Sequence, residues 1–121
     1  MRAHVAAASP EEACGLLAGR AGEVAHIFEI ENELHSATRY RMAPKQQLEA
    51  LMEMEERGWE LLAIYHSHPS GPVGPSATDL AEALYPDALQ LIWSRAEGKW
   101  VGRAYRFDAN TAVEKDFELA K

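Results

Sequence analysis

A single α/β domain of the α+β kind, a mixed β-sheet with helices packed on it, is the fold class this sequence predicts. Three observations carry that expectation. The chain has 121 residues, the usual size of one domain and enough to bury a core of its own. Short apolar runs such as Leu61-Leu62-Ala63-Ile64-Tyr65 read as buried strands and alternate with stretches of helical periodicity. Internal repeats, low-complexity segments and linkers are missing, so residues 1–121 are expected to form one domain.

In chain order, Ser9-Pro10-Glu11-Glu12 opens a short helical turn over residues 10–14, with Ser9 as N-cap, Pro10 at the first helical position and Glu12 three residues after the cap. Residues 16–18 and 24–30 read as strands joined across a turn at 20–22, and residues 35–38 as loop. Pro44 opens a helix in which Leu48, Leu51 and Met52 form one apolar stripe, expected as core, and Gly58 stops it. Residues 59–66 make the central strand, and a proline- and glycine-rich loop from Ser70 to Pro75 leads into a helix over 78–85 ended by Pro86. Residues 89–94, 100–107 and 112–119 complete the sheet, with a turn near Gly98. Trp93 and Trp100 are expected to pack at strand ends, and Tyr65 to face the core.

Nineteen acidic residues against twelve basic ones give a formal charge of −7, which disfavours nonspecific binding to nucleic acid or anionic membrane. No cluster of Lys and Arg interleaved with aromatics is present. The amino terminus carries Arg2 and a short alanine-rich piece, too brief for the apolar region of a signal peptide or for a membrane span, so a soluble cytoplasmic protein is expected. Cys14 is the single cysteine, which excludes an internal disulfide and fits a reducing compartment. It leads into an apolar run and reads as a packing residue rather than a nucleophile.

The chemistry concentrates in His66-Ser67-His68-Pro69, followed by Asp79. Two histidines two residues apart on a strand point to the same side, with Ser67 pointing away. Pro69 disfavours a helical conformation at His68 and helps end the strand there, which puts both imidazoles at a strand terminus. Imidazole nitrogen and carboxylate oxygen at roughly 2.0–2.2 Å are ordinary Zn²⁺ ligands, and three protein ligands leave a fourth position for water. Such water has its pKa lowered from about 15.7 towards about 7 and then needs a base. Ser76-Ala77-Thr78-Asp79 equally reads as a capping box, with Ser76 as the cap. Glu12, read from its spacing alone, is a capping residue too. His4, His26 and His35 share no ligand spacing and are given no role.

The stretch Glu12-Ala13-Cys14-Gly15-Leu16-Leu17-Ala18-Gly19, then His-Ser-His-Pro at 66–69 and Pro-Ser-Ala-Thr-Asp at 75–79, resembles the JAMM (MPN-plus, Mov34/JAB1) metallopeptidase family. Both motifs match in order, and the resemblance covers nearly the whole chain. It implies a JAB1/MPN-type domain with a curved mixed sheet flanked by helices, cytidine-deaminase-like. It implies His66, His68 and Asp79 as ligands of one Zn²⁺, Glu12 as general acid/base acting on the metal's water, and Ser76 as the residue that steadies the oxyanion. Tyr-His-Ser-His-Pro-Ser-Gly at 65–71 and Tyr-Pro-Asp-Ala at 85–88 are most similar to small prokaryotic members, some acting on ubiquitin-like sulfur-carrier proteins. The implied function is hydrolysis of an amide or isopeptide bond at the carboxyl end of such a protein, and since members often pair, a homodimer is an implied partner state. Two other readings stand beside it. One is a noncatalytic binding scaffold of the same fold, which predicts broken ligand positions. The other is the RadC-type branch linked to DNA repair, weakened by the acidic charge and by the Glu-Ala-Cys-Gly motif.

Overall fold

The computed structural model describes residues 1–82, 87–108 and 111–116. Its elements run α1 (Arg2–Ala8), β1 (Cys14–Arg20), β2 (Glu23–Ile30), α2 (Pro44–Arg57), β3 (Glu60–His68), α3 (Ala77–Glu82), β4 (Leu89–Ala96), β5 (Lys99–Asp108) and β6 (Thr111–Lys115). The strands form one six-stranded sheet in the order β2-β1-β3-β4-β5-β6. Among the described residues only the β3–β4 pairing is parallel; β1 runs antiparallel to both β2 and β3, and β4-β5-β6 is antiparallel throughout. The mixed sheet with flanking helices is the fold class the sequence predicts. Among the described residues, no helix is long and apolar enough to cross a membrane.

Alternation along β3 divides the core. Ala63 and Tyr65 face one side, where Val5 of α1, Leu17, Leu91, Trp93 and Ala104 gather. Ile64 faces the other, with Cys14, Leu16 and Ala18 of β1 and Ala50 and Met54 of α2. His66 and His68 continue the parity of Ile64, so they emerge together on the α2 side at the carboxyl end of the strand. The paired ends of β1 and β3 set Cys14 opposite His66, which brings the residues just before β1 to the histidines.

The helical turn expected over residues 10–14 does not form. The helix lies upstream as α1, and Ser9 is its C-cap, with φ −52° and ψ 136°. Proline explains the difference: Pro10 drives the residue before it into extended backbone, which ends a helix at Ser9 instead of starting one there. Alanine favours the upstream helix, and Val5, fully buried, anchors it on the sheet.

In α2 the expected apolar stripe is also corrected. Ala50 and Met54 are buried with Leu51 half-buried, whereas Leu48 and Met52 are each 58% exposed. At about 100° per residue, positions two apart lie on opposite sides of a helix, so seating α2 on Ala50 turns Leu48 and Met52 outward. The small Ala50 side chain permits that close seating. The expected stop does hold: Gly58 adopts φ 68°, its N–H donates to Glu55 at 3.2 Å and that of Trp59 to Met54 at 2.8 Å, closing a Schellman motif.

β3 runs on through His68 and stops before Pro69, and β4 and β5 lie where expected, each slightly longer. Residues 83–86 and 117–119 of the expected last helix and last strand lie outside the described residues.

Gly15 packs tightly against Tyr65, on the sheet face opposite Ile64. A Cβ there would lie 2.2 Å from Tyr65 Cε2 and 2.4 Å from the Phe28 carbonyl oxygen. The Tyr65 ring has little freedom to yield, since its hydroxyl lies 2.6 Å from His4 Nδ1. Gly15→Ala is therefore expected to destabilise the fold by about 1–3 kcal/mol, the range for overpacking, read from urea denaturation. An unchanged midpoint would show that the ring moves aside freely.

Candidate metal centre

Four side chains from three segments converge. His66 and His68 come from the end of β3, Asp79 from the first turn of α3, and Glu12 from the extended residues before β1. His66 Nε2 lies 3.1 Å from Asp79 Oδ1, His68 Nε2 3.0 Å from Asp79 Oδ2, and the two Nε2 atoms are 3.1 Å apart. Tetrahedral ligands held at about 2.0–2.1 Å from Zn²⁺ stand roughly 3.3 Å from one another, so these separations need only slight opening to share an ion. Glu12, His66 and His68 also form a group whose ligand atoms lie within 4.8 Å of one another, a cluster able to hold a metal ion.

Tautomer chemistry supports the same assignment. His68 Nδ1 lies 2.8 Å from the carbonyl oxygen of Pro72. A carbonyl only accepts, so Nδ1 carries the hydrogen and the neutral ring presents the Nε2 lone pair to the cluster. Ser94 Oγ donates to the Val73 carbonyl at 3.0 Å and ties this proline-glycine loop to β4. His66 is stacked against Tyr40, with ring centroids 4.7 Å apart at 25°. Its Nδ1 is buried with no hydrogen-bond partner among the described residues.

The capping reading of the Ser76–Asp79 stretch holds. The Asp79 N–H donates to Ser76 Oγ at 3.0 Å and the Ser76 N–H to Asp79 Oδ2 at 2.9 Å, a reciprocal cap at the start of α3. The same carboxylate reaches both imidazoles. The cap thus orients the carboxylate toward the two imidazoles, and Ser76, accepting from Asp79, keeps its own hydroxyl hydrogen to donate.

Charge and burial act in opposite directions here. Burial would raise the Asp79 carboxyl, but hydrogen bonds with His66 and His68 outweigh it and hold the group far below the ordinary carboxylate value. Burial keeps His66 below the usual imidazole range, against the pull of Asp79. It pulls His68 down as well, yet the hydrogen bond and charge of Asp79, with the Pro72 carbonyl and Glu12, leave that ring raised.

Glu12 is 4% exposed, and its Oε1 has no hydrogen-bond partner among the described residues. Burial pushes its pKa up to about 7, with His68 opposing and Asp79 adding to the rise. The backbone here is tightly held. The Glu12 N–H donates to the Ser36 carbonyl at 2.8 Å, and its own carbonyl accepts from Asn32 Nδ2 at 3.1 Å. One residue on, the Ala13 N–H donates to Ser67 Oγ at 2.8 Å while the Ser67 N–H donates to the Ala13 carbonyl at 3.0 Å. Ser67 does point away from the histidines, and it uses that direction to clamp the Glu12 segment onto β3.

A model of the prokaryotic homologs of the JAB domain matches residues 1–108 of this sequence. The chain belongs to that family. A probable TtuB-protein conjugate cleaving protease of Thermus thermophilus is 46% identical over 85 residues, 69% of this chain and 57% of that protein. Little more than half the length of that relative is therefore spanned. The CysO-cysteine peptidase of Mycobacterium tuberculosis is 35% identical over 125 residues, covering 100% of this chain and 85% of its own. Among solved structures, protein DSY2949 of Desulfitobacterium hafniense superposes with a TM-score of 0.86 at 34% identity, covering 100% of this chain and 86% of that one.

The remaining residues of this JAB domain sort cleanly. Cys14 is fully buried, donates to the Ile30 carbonyl at 3.4 Å, and has its thiol pushed up to about 12 by burial and by Glu12, as a packing residue should. Trp93 is buried in the core and Trp100 packs against it. His4 meets Tyr65, His26 stacks on Trp59 and His35 pairs with Glu11, all outside the cluster of Glu12, His66, His68 and Asp79. Sequence reasoning missed Asn32, Ser36 and Tyr40, whose only local signal is a polar loop between β2 and α2.

Proposed function

We propose that this JAB domain, residues 1–121 acting as a single unit, is a zinc metallopeptidase that hydrolyses an amide or isopeptide bond at the carboxyl end of a ubiquitin-like or sulfur-carrier protein. One observation carries the reading: a buried carboxylate oxygen without a partner, on Glu12, stands beside two imidazoles gathered on an aspartate. Burying a carboxylate unpaired is costly, and groups so perturbed concentrate where protons are moved. The names of the Thermus and Mycobacterium relatives, a conjugate-cleaving protease and a peptidase, support the same reaction class.

In this reading His66, His68 and Asp79 hold Zn²⁺, a donor set of two imidazoles and a carboxylate that suits it. Bound there, zinc supplies Lewis acidity, polarising a carbonyl and making a nearby water more acidic. Glu12 takes the proton of the attacking water and passes it to the leaving amine, for which a pKa near neutrality suits both steps. Ser76 donates its hydroxyl hydrogen to the oxyanion as the carbonyl turns tetrahedral.

Zinc-loaded protein incubated with ubiquitin-like proteins extended beyond a terminal Gly-Gly is expected to release the extension, seen by mass spectrometry as the matching loss of mass. Chelation is expected to stop the cleavage and added zinc to restore it. Cleavage that continues undiminished in protein stripped of metal would sink the reading.

A further inference from the structure

Asn32 is 7% exposed and lies where the chain leaves β2, in no element that carries a metal ligand. A side-chain amide has two donors and an acceptor oxygen with two lone pairs, and here all four are used. Its Oδ1 accepts from the Leu34 and Arg41 N–H groups, each at 3.1 Å. Its Nδ2 donates to the carbonyls of Glu12 and Arg39, each at 3.1 Å. Backbone bonds close the same loop at its neck: Glu33 N–H to Arg41 and Ala43 N–H to Glu31, both at 2.9 Å. One amide therefore forms the centre around which residues 31–43 fold.

That loop touches the metal centre twice. It holds both backbone groups of Glu12, the carbonyl through Asn32 and the N–H through Ser36. It also carries Tyr40, flanked by the two residues that Asn32 binds, against the ring of His66. Among the described residues the Glu12 carboxylate has no hydrogen bond of its own at Oε1, so the bonds that fix its backbone govern where it points. Ser67 holds the far side of the segment through Ala13, leaving Asn32 and Ser36 as the grips on Glu12 itself.

We infer that Asn32 is a positioning residue of the reaction, acting through Glu12 and through the Tyr40 ring over His66. This rests on the proposed role of Glu12. Small displacements matter at such a site, since a misplacement of about 1 Å can cost roughly a hundredfold in rate. Asn32→Asp is the sharpest probe. It is nearly the same shape and keeps both acceptor contacts, but it sets a carboxylate oxygen against the Glu12 and Arg39 carbonyls where two donors stood.

The experiment measures kcat, KM, bound zinc and urea midpoint for wild type, Asn32→Asp and Asn32→Ser, with Glu12→Gln alongside, on a ubiquitin-like protein extended past Gly-Gly. Serine keeps an acceptor near the loop but cannot bridge both carbonyls. The expected result is kcat lowered about 10- to 100-fold in both Asn32 variants. KM and zinc per folded molecule should stay within twofold of wild type. A purely structural role would instead lower the folded fraction and leave kcat per folded molecule intact. Folded, zinc-loaded Asn32 variants with wild-type kcat, beside an inactive Glu12→Gln, would overturn this inference alone. A fully active Glu12→Gln would overturn the underlying reading. Should neither Asn32 variant fold, the amide is a structural hub and the positioning role fails.

Discussion

Glu12→Gln is expected to lower kcat by about 10²–10⁴-fold, the usual contribution of a general acid/base, while zinc content stays at the wild-type value and the urea midpoint does not fall, since a costly buried charge is removed. Glutamine keeps the length and shape of the side chain, and among the described residues the hydrogen bonds that hold this residue run through its backbone to Asn32 and Ser36. The substitution therefore removes a proton acceptor and little else. It also settles a question of geometry. Glu12, His66 and His68 lie close enough to share an ion, and so do His66, His68 and Asp79. Were Glu12 itself a ligand, the glutamine variant would lose zinc along with turnover; were it the base, zinc would remain. The pH profile follows with its sign. Only the ionised carboxylate can accept a proton, so the rate falls as pH drops through the Glu12 pKa. Burial lifts that pKa to about 7. A cation held beside it favours the charged form, so the acid limb of the zinc-loaded protein should lie below that value.

What the sequence disclosed depended on the range of the physics involved. The His66–His68 pair was legible because strand alternation fixes which way side chains two apart must point. The Ser76–Asp79 cap was legible because a capping box is built from four consecutive residues. Glu12 was different: spacing read it as a helix cap, and the resemblance to a peptidase family pointed elsewhere. Pro10 suits the first position of a helix as well as the place just after one, and here its effect on Ser9 closes α1 rather than opening a helix over residues 10–14. In α2 the error was one of rotation. Periodicity showed an apolar stripe, but only the shape of the sheet beneath could decide that small Ala50, not Leu48, would be seated on it. Asn32 was illegible for a plainer reason. Its partners lie 2, 7, 9 and 20 positions away, and no local pattern encodes a hub that long-range folding assembles.

Asp79→Asn is expected to separate the capping role of Asp79 from its proposed role as a zinc ligand. An asparagine oxygen can still accept from the Ser76 N–H, so the start of α3 should survive. The anionic ligand is lost, and zinc affinity should fall more than about 100-fold, beyond the 10–100-fold cost of removing an outer partner of a metal ligand. Activity should then track zinc occupancy. In metal-free protein the same substitution makes a second, independent prediction. The Asp79 carboxyl is held far below its ordinary value, so its pairing with the imidazoles stabilises the fold above about pH 3.9 and is lost in stronger acid. His68 is raised, so its share is present below about pH 6.5 and fades as pH climbs through its folded value. Both conditions are met in mildly acidic solution. The deficit of chelated Asp79→Asn against chelated wild type, measured by urea denaturation, should thus be larger at pH 5 than at pH 8, where neutral imidazoles need no counter-charge. His66, already disfavoured as a cation by burial, pulls the other way in both proteins and leaves that ordering intact. A deficit that grows toward pH 8 would mean that the carboxylate is not paired with protonated histidine, and the collected His-His-Asp arrangement would have to be abandoned.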